Sequence, residues 1–593
     1  MFEVEQQAVA TLILRYCQEH DLPLAQPPEW SPIPFTGEWG ICTSFFKLAA
    51  LEARQKAGGR GPQLSVAERA QEIAAGVAAA IGTPAGFARL EAVKGYLNCY
   101  YATPVYSQRL VDQVLEENER FGWGSPKGER VMVEFSQPNT HKAFHVGHLR
   151  NVILGSTIAN ILEAAGYAVV RANYLGDIGL HVIKWLWNYT KNHRGEEPGE
   201  DRTRWMGDIY AESDRLLDEN PEWEAEVRSL FARWDRRDAE VVALWQKTRQ
   251  WSLEGFDQIY QMLGVRFDRV YFESEVEDPG KELVEELVAR NIAVDERPAG
   301  PVIVRLDELL GLKKEKFRVL VVLRSDGTSL YATKDLALAI QKFREYPDLK
   351  KSIYVIDVRQ SLYLQQIFKT LELMGYPWAK DCYHLAYEIV NLPGNVTMSS
   401  RDGTVVLLED LVREATRRAL AIVRQKNPSL SSEQMQSIST AVALGALRYT
   451  MIARDNTKTV TFDWESALDF NGQAAPYIQY AHVRANSILR NLNEPLPEPI
   501  APGYTLDPTE VQLIDLISRL PGEVQRAAAE YKPLHLTNLA YEIGRAFSDF
   551  YNACPVLRAE PEVRNFRLRL VAAARQALAN ALMILGIEAP KIM

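Results

Sequence analysis

Residues 131–179, VMVEFSQPNTHKAFHVGHLRNVILGSTIANILEAAGYAVVRANYLGDIG, constrain the fold more than any other stretch. The apolar run 131–135 reads as a strand. A loop with Pro138, Asn139 and Lys142 follows, and His145-Val146-Gly147-His148 opens a helix. Leu149, Val152, Ile153, Leu154, Ile158, Ile161 and Leu162 recur at spacings of three and four, which makes a broad apolar helical face. Gly166 stops the helix, and 167–174 reads as a second strand. Strand, helix and strand in this order form a right-handed βαβ unit of a parallel sheet. Ligands of such sheets bind beyond the carboxyl ends of the strands, where HVGH falls.

The chemistry of HVGH follows from its place. A helix N-terminus presents unpaired N–H groups and a partial positive charge, so anions settle there. Gly147 lets a flat group such as adenine approach the backbone. His145 and His148 are positioned to donate to phosphate oxygens, and Lys142 adds charge beside them. A metal site built from His141, His145 and His148 is the rival reading. No carboxylate or cysteine stands at ligand spacing, and the spacing is not HExxH. Two capping histidines on an ordinary helix are the bland reading, and the strand-loop-helix context weighs against it.

HVGH resembles the HIGH signature of class I aminoacyl-tRNA synthetases, and VEFSQPNTHKAFHVGHLRN…NYLGDIG is similar to arginyl-tRNA synthetase. Nearly the whole chain shares the resemblance. It implies a multidomain α/β protein. An α+β N-terminal domain (1–125) contacts tRNA. A Rossmann-like parallel-sheet catalytic domain (126–465) carries insertions near 190–262 and 280–330, and an all-α helical anticodon-binding domain spans 466–593. It implies arginine and ATP as substrates, magnesium arriving with ATP, and tRNA-Arg as partner. It further implies a cytoplasmic monomer whose activation waits for bound tRNA.

Bulk properties agree. At 593 residues the length suits several domains, and 47% hydrophobic with 24% charged residues is ordinary for a globular chain. No run approaches the ~18 apolar residues of a membrane span, and the acidic start MFEVEQQ is unlike a signal peptide. Cysteines 17, 42, 99, 382 and 554 form no CxxC, so neither disulfides nor a zinc ribbon is expected. The net charge of −10 opposes a non-specific nucleic-acid coat but leaves room for one basic face.

Further stretches carry the resemblance. An Ala-rich helix at 64–82 precedes GYLNCYY (95–101), a strand dense in aromatics. There Asn98 and Tyr101 match positions that contact tRNA, although tyrosines on strands also pack half-buried. Charged, Trp-rich residues 190–262 read as a helical insertion with salt-bridged exposed faces and no chemistry of their own. Asp326-Gly327 between PVIVRL…FRVLVVLRS and TSLYAT signals a hairpin.

By resemblance, Glu134 and Asp335 hold the substrate guanidinium and Tyr331 packs on it. Ser136, Asn139 and Gln360 orient the amino-acid end. A planar fork of N–H donors suits paired carboxylates. Taken alone, Asp335 reads as a helix N-cap. Met398, Ser399, Ser400 and Arg401 occupy the place of the ATP-binding KMSKS loop. Ser400 replaces its second lysine and Asp402 another, and the resemblance implies that Lys142 compensates. Ile178 stands where relatives carry Trp, and Ile592 where they carry Arg.

From 466 the pattern is helical at 475–490, 509–530, 535–552 and 560–585. Tyr477, Gln479, Tyr480 and Arg484 are candidates for anticodon contact, and Arg558, Arg564, Arg567, Arg569 and Arg575 for phosphates. The reading is an arginine–tRNA ligase that uses His145, His148, Lys142 and Gly147 at the phosphates. Alternatives are another HxGH enzyme, opposed by Glu134 with Asp335, and a non-catalytic tRNA-binding relative, supported only by the altered loop.

Overall fold

Strand β1 (Arg130–Glu134) lies at the centre of a five-stranded, wholly parallel sheet. From it the chain runs through helix α1 (Val146–Ala164) to β2 (Ala168–Leu175), which pairs with β1 from Arg130↔Ala168 to Glu134↔Ala172. Strands β3 (Arg269–Phe272), β4 (Leu349–Asp357) and β5 (Cys382–Tyr387) complete the order β3-β2-β1-β4-β5. The order reverses between β1 and β4, and in doubly wound sheets that crevice receives ligands. The computed structural model describes residues 2–23, 26–55, 64–392, 396–397, 407–492 and 494–593.

Helix α1 is buried along almost its whole length because the sheet covers one side and the C-terminal helices the other. Its approach to the sheet depends on Gly155. A Cβ there would lie 2.2 Å from Phe135 Cβ.

The 190–262 region differs from its reading as a solvated surface. Helices α2 (Arg202–Glu219) and α3 (Ala239–Leu263) enclose a core with Trp185, Trp187, Trp234, Trp245 and Trp251. Charged pairs such as Lys191–Glu226 (2.9 Å) and Arg233–Asp238 (3.0 Å) decorate only its outside. The second insertion holds Val302–Arg305 antiparallel to Val319–Leu323. Its Asp326-Gly327 turn forms, with Arg324 N–H donating to Thr328 O at 3.0 Å. No return strand follows, because the chain enters helix α4 (Tyr331–Glu345).

The N-terminal part is α+β, with a four-stranded antiparallel sheet that includes Tyr96–Tyr101 and an adjoining helix Val66–Ile81 capped by Ser65. The C-terminal part is helical. Helices α5 (Leu408–Lys426) and α6 (Ser432–Ile452) lead to α7 (Ala475–Arg490), Pro508–Ser518, Leu520–Glu530, Leu534–Ala553 and Pro561–Ile584. The expected helix 509–530 is two helices, since Pro521 sits in the first turn of the second.

Gly155→Ala pushes a methyl group into Phe135 and should cost roughly 1–3 kcal/mol, as overpacking does. Chemical denaturation measures it, and an unchanged midpoint would mean that α1 can slide outward without loss.

Candidate active site

The loop between β1 and α1 departs from ordinary backbone. Ser136, Gln137 and His141 have φ of 81°, 46° and 62°, left-handed values that cost side-chain-bearing residues energy. Specific partners hold them. Ser136 N–H donates to Asn151 Oδ1 (2.6 Å), Gln137 N–H to Asn173 Oδ1 (3.0 Å), and His141 N–H to Ser252 Oγ (2.9 Å). Thr140 N–H donates to Gly176 O (2.9 Å), and Asn139 bridges to the same glycine. Both His141 nitrogens are engaged, by Thr140 Oγ1 (2.9 Å) and Thr248 Oγ1 (2.8 Å), so neither is open to a ligand.

At the start of α1, the Nδ1 of His145 accepts Gly147 N–H (3.1 Å) and the Nδ1 of His148 accepts His145 N–H (3.2 Å). An accepting Nδ1 places the ring proton on Nε2. Burial lowers the pKa of both rings, His148 most, so both are neutral donors through Nε2–H. The Nδ1 edges therefore cap the turn, and the Nε2–H edges keep the donors that the phosphate reading needs. The expected backbone donors are partly spent, because the His148 N–H also bonds His145 O (2.8 Å). Half-buried Lys142 lies 4.6 Å from the Tyr210 ring centre of α2, and burial lowers its pKa. Leu407 bridges to His145, while Met398, Ser399, Ser400 and Arg401 lie outside the described residues.

A cluster of carboxylates occupies the same edge of the sheet. Glu134 is buried, forms an ion pair with buried Lys342 and accepts from Gln137 Nε2 (3.0 Å). Glu273 pairs with Lys334 at 2.5 Å. Asp335 lies one turn inside α4, whose N-cap is Leu330, so it is not the cap. Its Oδ2 accepts the Tyr363 hydroxyl at 2.5 Å. Burial, then the charges of Glu134 and Glu273, push its pKa up to about 7, against the Tyr363 hydrogen bond. The buried Tyr174 hydroxyl beside these carboxylates has no partner among the described residues.

The remaining expected residues divide. Tyr331 opens α4 with 63% of its surface exposed, and Gln360 is exposed just after β4. The Ser136 hydroxyl is engaged with Tyr260 of α3 (2.7 Å), so Ser136 supports the loop rather than facing a ligand. Tyr101 is 5% exposed and stacks on Phe2 at 4.1 Å, which leaves no face for a base. On the same strand Tyr96, Asn98 and Tyr100 share the outer side, and Arg89 covers Tyr100 at 3.9 Å. Strict alternation along GYLNCYY is the signal that separates them.

Gln479 is fully buried, donating to Ala441 O and Glu588 O, and is a staple between helices. Tyr477 is half-buried against Tyr541, whereas Arg484 stacks 4.9 Å from both Tyr480 and exposed Tyr551. Arg564, Arg567 and Arg569 are committed to Glu494, Glu510 and Asp112. Sequence reasoning misses Lys342 and Tyr363. Lys342 stands seven residues after Asp335, hence on the same helical face, and that spacing could have found it.

The family model for the catalytic domain of class I tRNA synthetases (R) matches residues 110–464, and that for the DALR anticodon binding domain matches 478–593. An arginine–tRNA ligase of Clostridium perfringens is 34% identical over 97% of this chain and 98% of its own. One from Bdellovibrio bacteriovorus is 32% identical over 87% and 89%. The arginyl-tRNA synthetase structure of Thermus thermophilus superposes with a TM-score of 0.76 at 27% identity, covering 99% and 100%. That of Plasmodium falciparum, at 19% identity and TM-score 0.71 over 99% of each chain, shares the fold.

Because the folded pKa of Asp335 lies above its unfolded value, its contribution to stability is full below about pH 4 and is lost as pH rises through about 7. Asp335→Asn has no such loss. Its melting temperature should exceed the parent's by a margin that grows between pH 4 and 7; a margin constant with pH would show that Asp335 titrates normally.

Proposed function

The chain belongs to the class I arginine–tRNA ligases, and we propose that it performs their reaction through the residues gathered at the carboxyl edges of β1 and β4. The enzyme joins arginine to ATP as an adenylate and passes the arginyl group to the 3′ end of tRNA. One observation carries the assignment of residues. His145 and His148, both neutral and both fixed as Nε2–H donors, stand at the same sheet edge as a cluster of buried carboxylates.

The arginine carboxylate attacks the α-phosphate and pyrophosphate leaves, a step that depends on positioning and charge rather than proton transfer. His145 and His148 donate to phosphate oxygens, Lys142 adds an ammonium, and Gly147 leaves room for adenine. Met398, Ser399, Ser400 and Arg401 are ATP ligands on the strength of the sequence alone. Asp335, with Glu134 behind it, receives the guanidinium, and Tyr331 covers it. Asn139 and Gln360 orient the α-amino end, while Ser136 acts by holding the loop. In the second step a terminal ribose hydroxyl attacks the arginyl carbonyl and AMP leaves.

Magnesium enters with the ATP phosphates. The mouth of α1 offers two imidazoles and a lysine, so phosphate oxygens and water would hold the ion. Asn98, with Tyr96 and Tyr100 replacing Tyr101, supports tRNA contact by the N-terminal part (1–125). Tyr480 and Arg484, joined by Tyr551, support it in the helical part (466–593), behind a catalytic part of 126–465. We assign a monomer of the cytoplasm. No helix among the described residues is long and apolar enough to cross a membrane.

ATP–pyrophosphate exchange, run with and without tRNA, tests the reading. Arginine should be activated and lysine should not, since an ammonium cannot fill a planar paired site. His145→Ala and His148→Ala should each lower kcat by about tenfold or more; near-parental rates would remove the phosphates from these histidines. Citrulline should be rejected most strongly above pH 7. Protonated Asp335 can donate to its urea oxygen, but ionised Asp335 meets no charge there. Discrimination that does not widen with pH would take Asp335 out of the substrate site. Tyr480→Ala and Arg484→Ala should raise KM for tRNA at unchanged melting temperature; the reverse pattern would make both residues packing.

A further inference from the structure

The 190–262 insertion has no part in the chemistry above, yet one of its helices lies directly against the residues that lead into α1. On α2, Gly207 faces Ala143 so closely that a Cβ would fall 2.5 Å from Ala143 Cβ and 3.0 Å from its amide nitrogen. No other residue type allows that approach without moving the loop. Three residues later, one turn along the same helical face, Tyr210 presents its ring to Lys142, with Nζ 4.6 Å from the ring centre. Among the described residues Lys142 makes no ion pair. The carboxylate behind the ring, Asp214, is bound to Lys184 at 2.8 Å and to the Tyr210 side chain, and its charge reaches Lys142 only beyond ion-pair distance. The ammonium is therefore oriented by a neutral π face, which attracts a cation without neutralising it. The first turn of α2 is fastened independently. Arg204 pairs with Asp410 (2.5 Å), Asp201 with Arg413 (3.0 Å), and Thr203 with Glu409, all on α5. Helix α2 thus spans from the lysine beside the HVGH turn to α5, whose N-cap Leu407 bridges to His145.

We propose that α2 is the positioning element for Lys142, with Tyr210 as its positioning residue, holding an unneutralised ammonium ready for the triphosphate of ATP. This rests on the reading of Lys142 as a phosphate contact. A lysine on a flexible stem loses rotamer freedom when it meets an anion, and the ring has already confined it. A carboxylate in the place of Tyr210 would hold the side chain equally well but would compete with phosphate. An aliphatic residue would leave it free.

Arginine-dependent ATP–pyrophosphate exchange on the full-length protein, with tRNA present, tests the proposal. Four variants are compared: Lys142→Ala, Tyr210→Leu, Tyr210→Phe and the double Lys142→Ala/Tyr210→Leu, each with its melting temperature. The expected result is that Tyr210→Leu lowers kcat/KM for ATP by roughly two- to thirtyfold, the range of a cation–π contact. KM for arginine should be unchanged. Tyr210→Phe keeps the ring and should stay within about twofold of the parent. The double variant should be no slower than Lys142→Ala alone, because the ring acts through the lysine. Should the Leu variant lose its cooperative melt, Tyr210→Met replaces it. Equal losses for Phe and Leu, parental activity in Leu, or losses that multiply in the double variant would each overturn the proposal. Parental activity in Lys142→Ala would instead overturn the assignment of Lys142 to the phosphates. The two failures are therefore distinguishable.

Discussion

The hydrogen bonds that hold the β1–α1 loop in left-handed backbone are the constraint on which the site depends. Three side-chain-bearing residues with positive φ cost about 1–3 kcal/mol each when unsupported. Their partners come from α1 (Asn151), β2 (Asn173) and α3 (Ser252), and Asn151 also donates to Val355 O on β4 at 2.9 Å. The βαβ unit and two elements distant in sequence, α3 and β4, must therefore be assembled before the loop can take its shape. Once it has, Glu134 at its start, Asn139 in its middle and the Lys142–His148 segment at its end have fixed relative positions. The candidate site is a consequence of tertiary closure rather than a property of the HVGH helix alone.

That dependence explains what is legible in the amino-acid order. Periodicity is local, so the βαβ unit, the Val66–Ile81 helix and the helical C-terminal part can all be read from spacing. HVGH can be placed because its neighbours in sequence are its neighbours in space. Tyr101 is misplaced for a different reason. A match by position takes precedence over the alternation that sends 97, 99 and 101 inward and leaves 96, 98 and 100 outside. TSLYAT reads as a returning strand because a turn does not specify the element beyond it; Leu330 and Thr333 instead cap α4. Spacing puts Lys342 on the helical face of Asp335, but which carboxylates Lys342 and Tyr363 meet is not written in the local sequence. Tyr363 and Lys342 reach them only after β1 and β4 pair and α4 docks.

The insertion shows the same limit from the other side. Its charge pattern announces exposed faces, and those faces exist, but its tryptophans build a core and α3 supplies Tyr260, Ser252, Thr248 and Arg249 to the motif residues. Arg249 binds buried Asp177 at 2.8 Å, and Ser274 completes that carboxylate's partners from the first turn after β3. Asp177 of the LGD sequence thus serves as a structural anchor, tying the insertion to the end of the sheet. A surface-like composition conceals a supporting wall because only some side chains of each helix face inward.

The charges around Asp335 make sense when counted together. Lys342 offsets Glu134, and Lys334 offsets Glu273. Among the described residues Asp335 has no cation paired with it at contact distance, and its carboxylate neighbours raise the cost of its ionisation. A buried carboxylate without a counter-ion is unfavourable, so Asp335 gives up its proton only around pH 7 and not in the usual carboxylate range. A guanidinium brings both the missing charge and a planar set of donors, which makes ionisation favourable again. On the proposed reading the two lysines matter to selectivity as much as the carboxylates do. Without them the cluster would hold several negative charges and would attract any cation. With them the cluster carries no net charge while Asp335 is protonated, and on the proposed reading a guanidinium supplies the charge that balances Asp335 once it ionises.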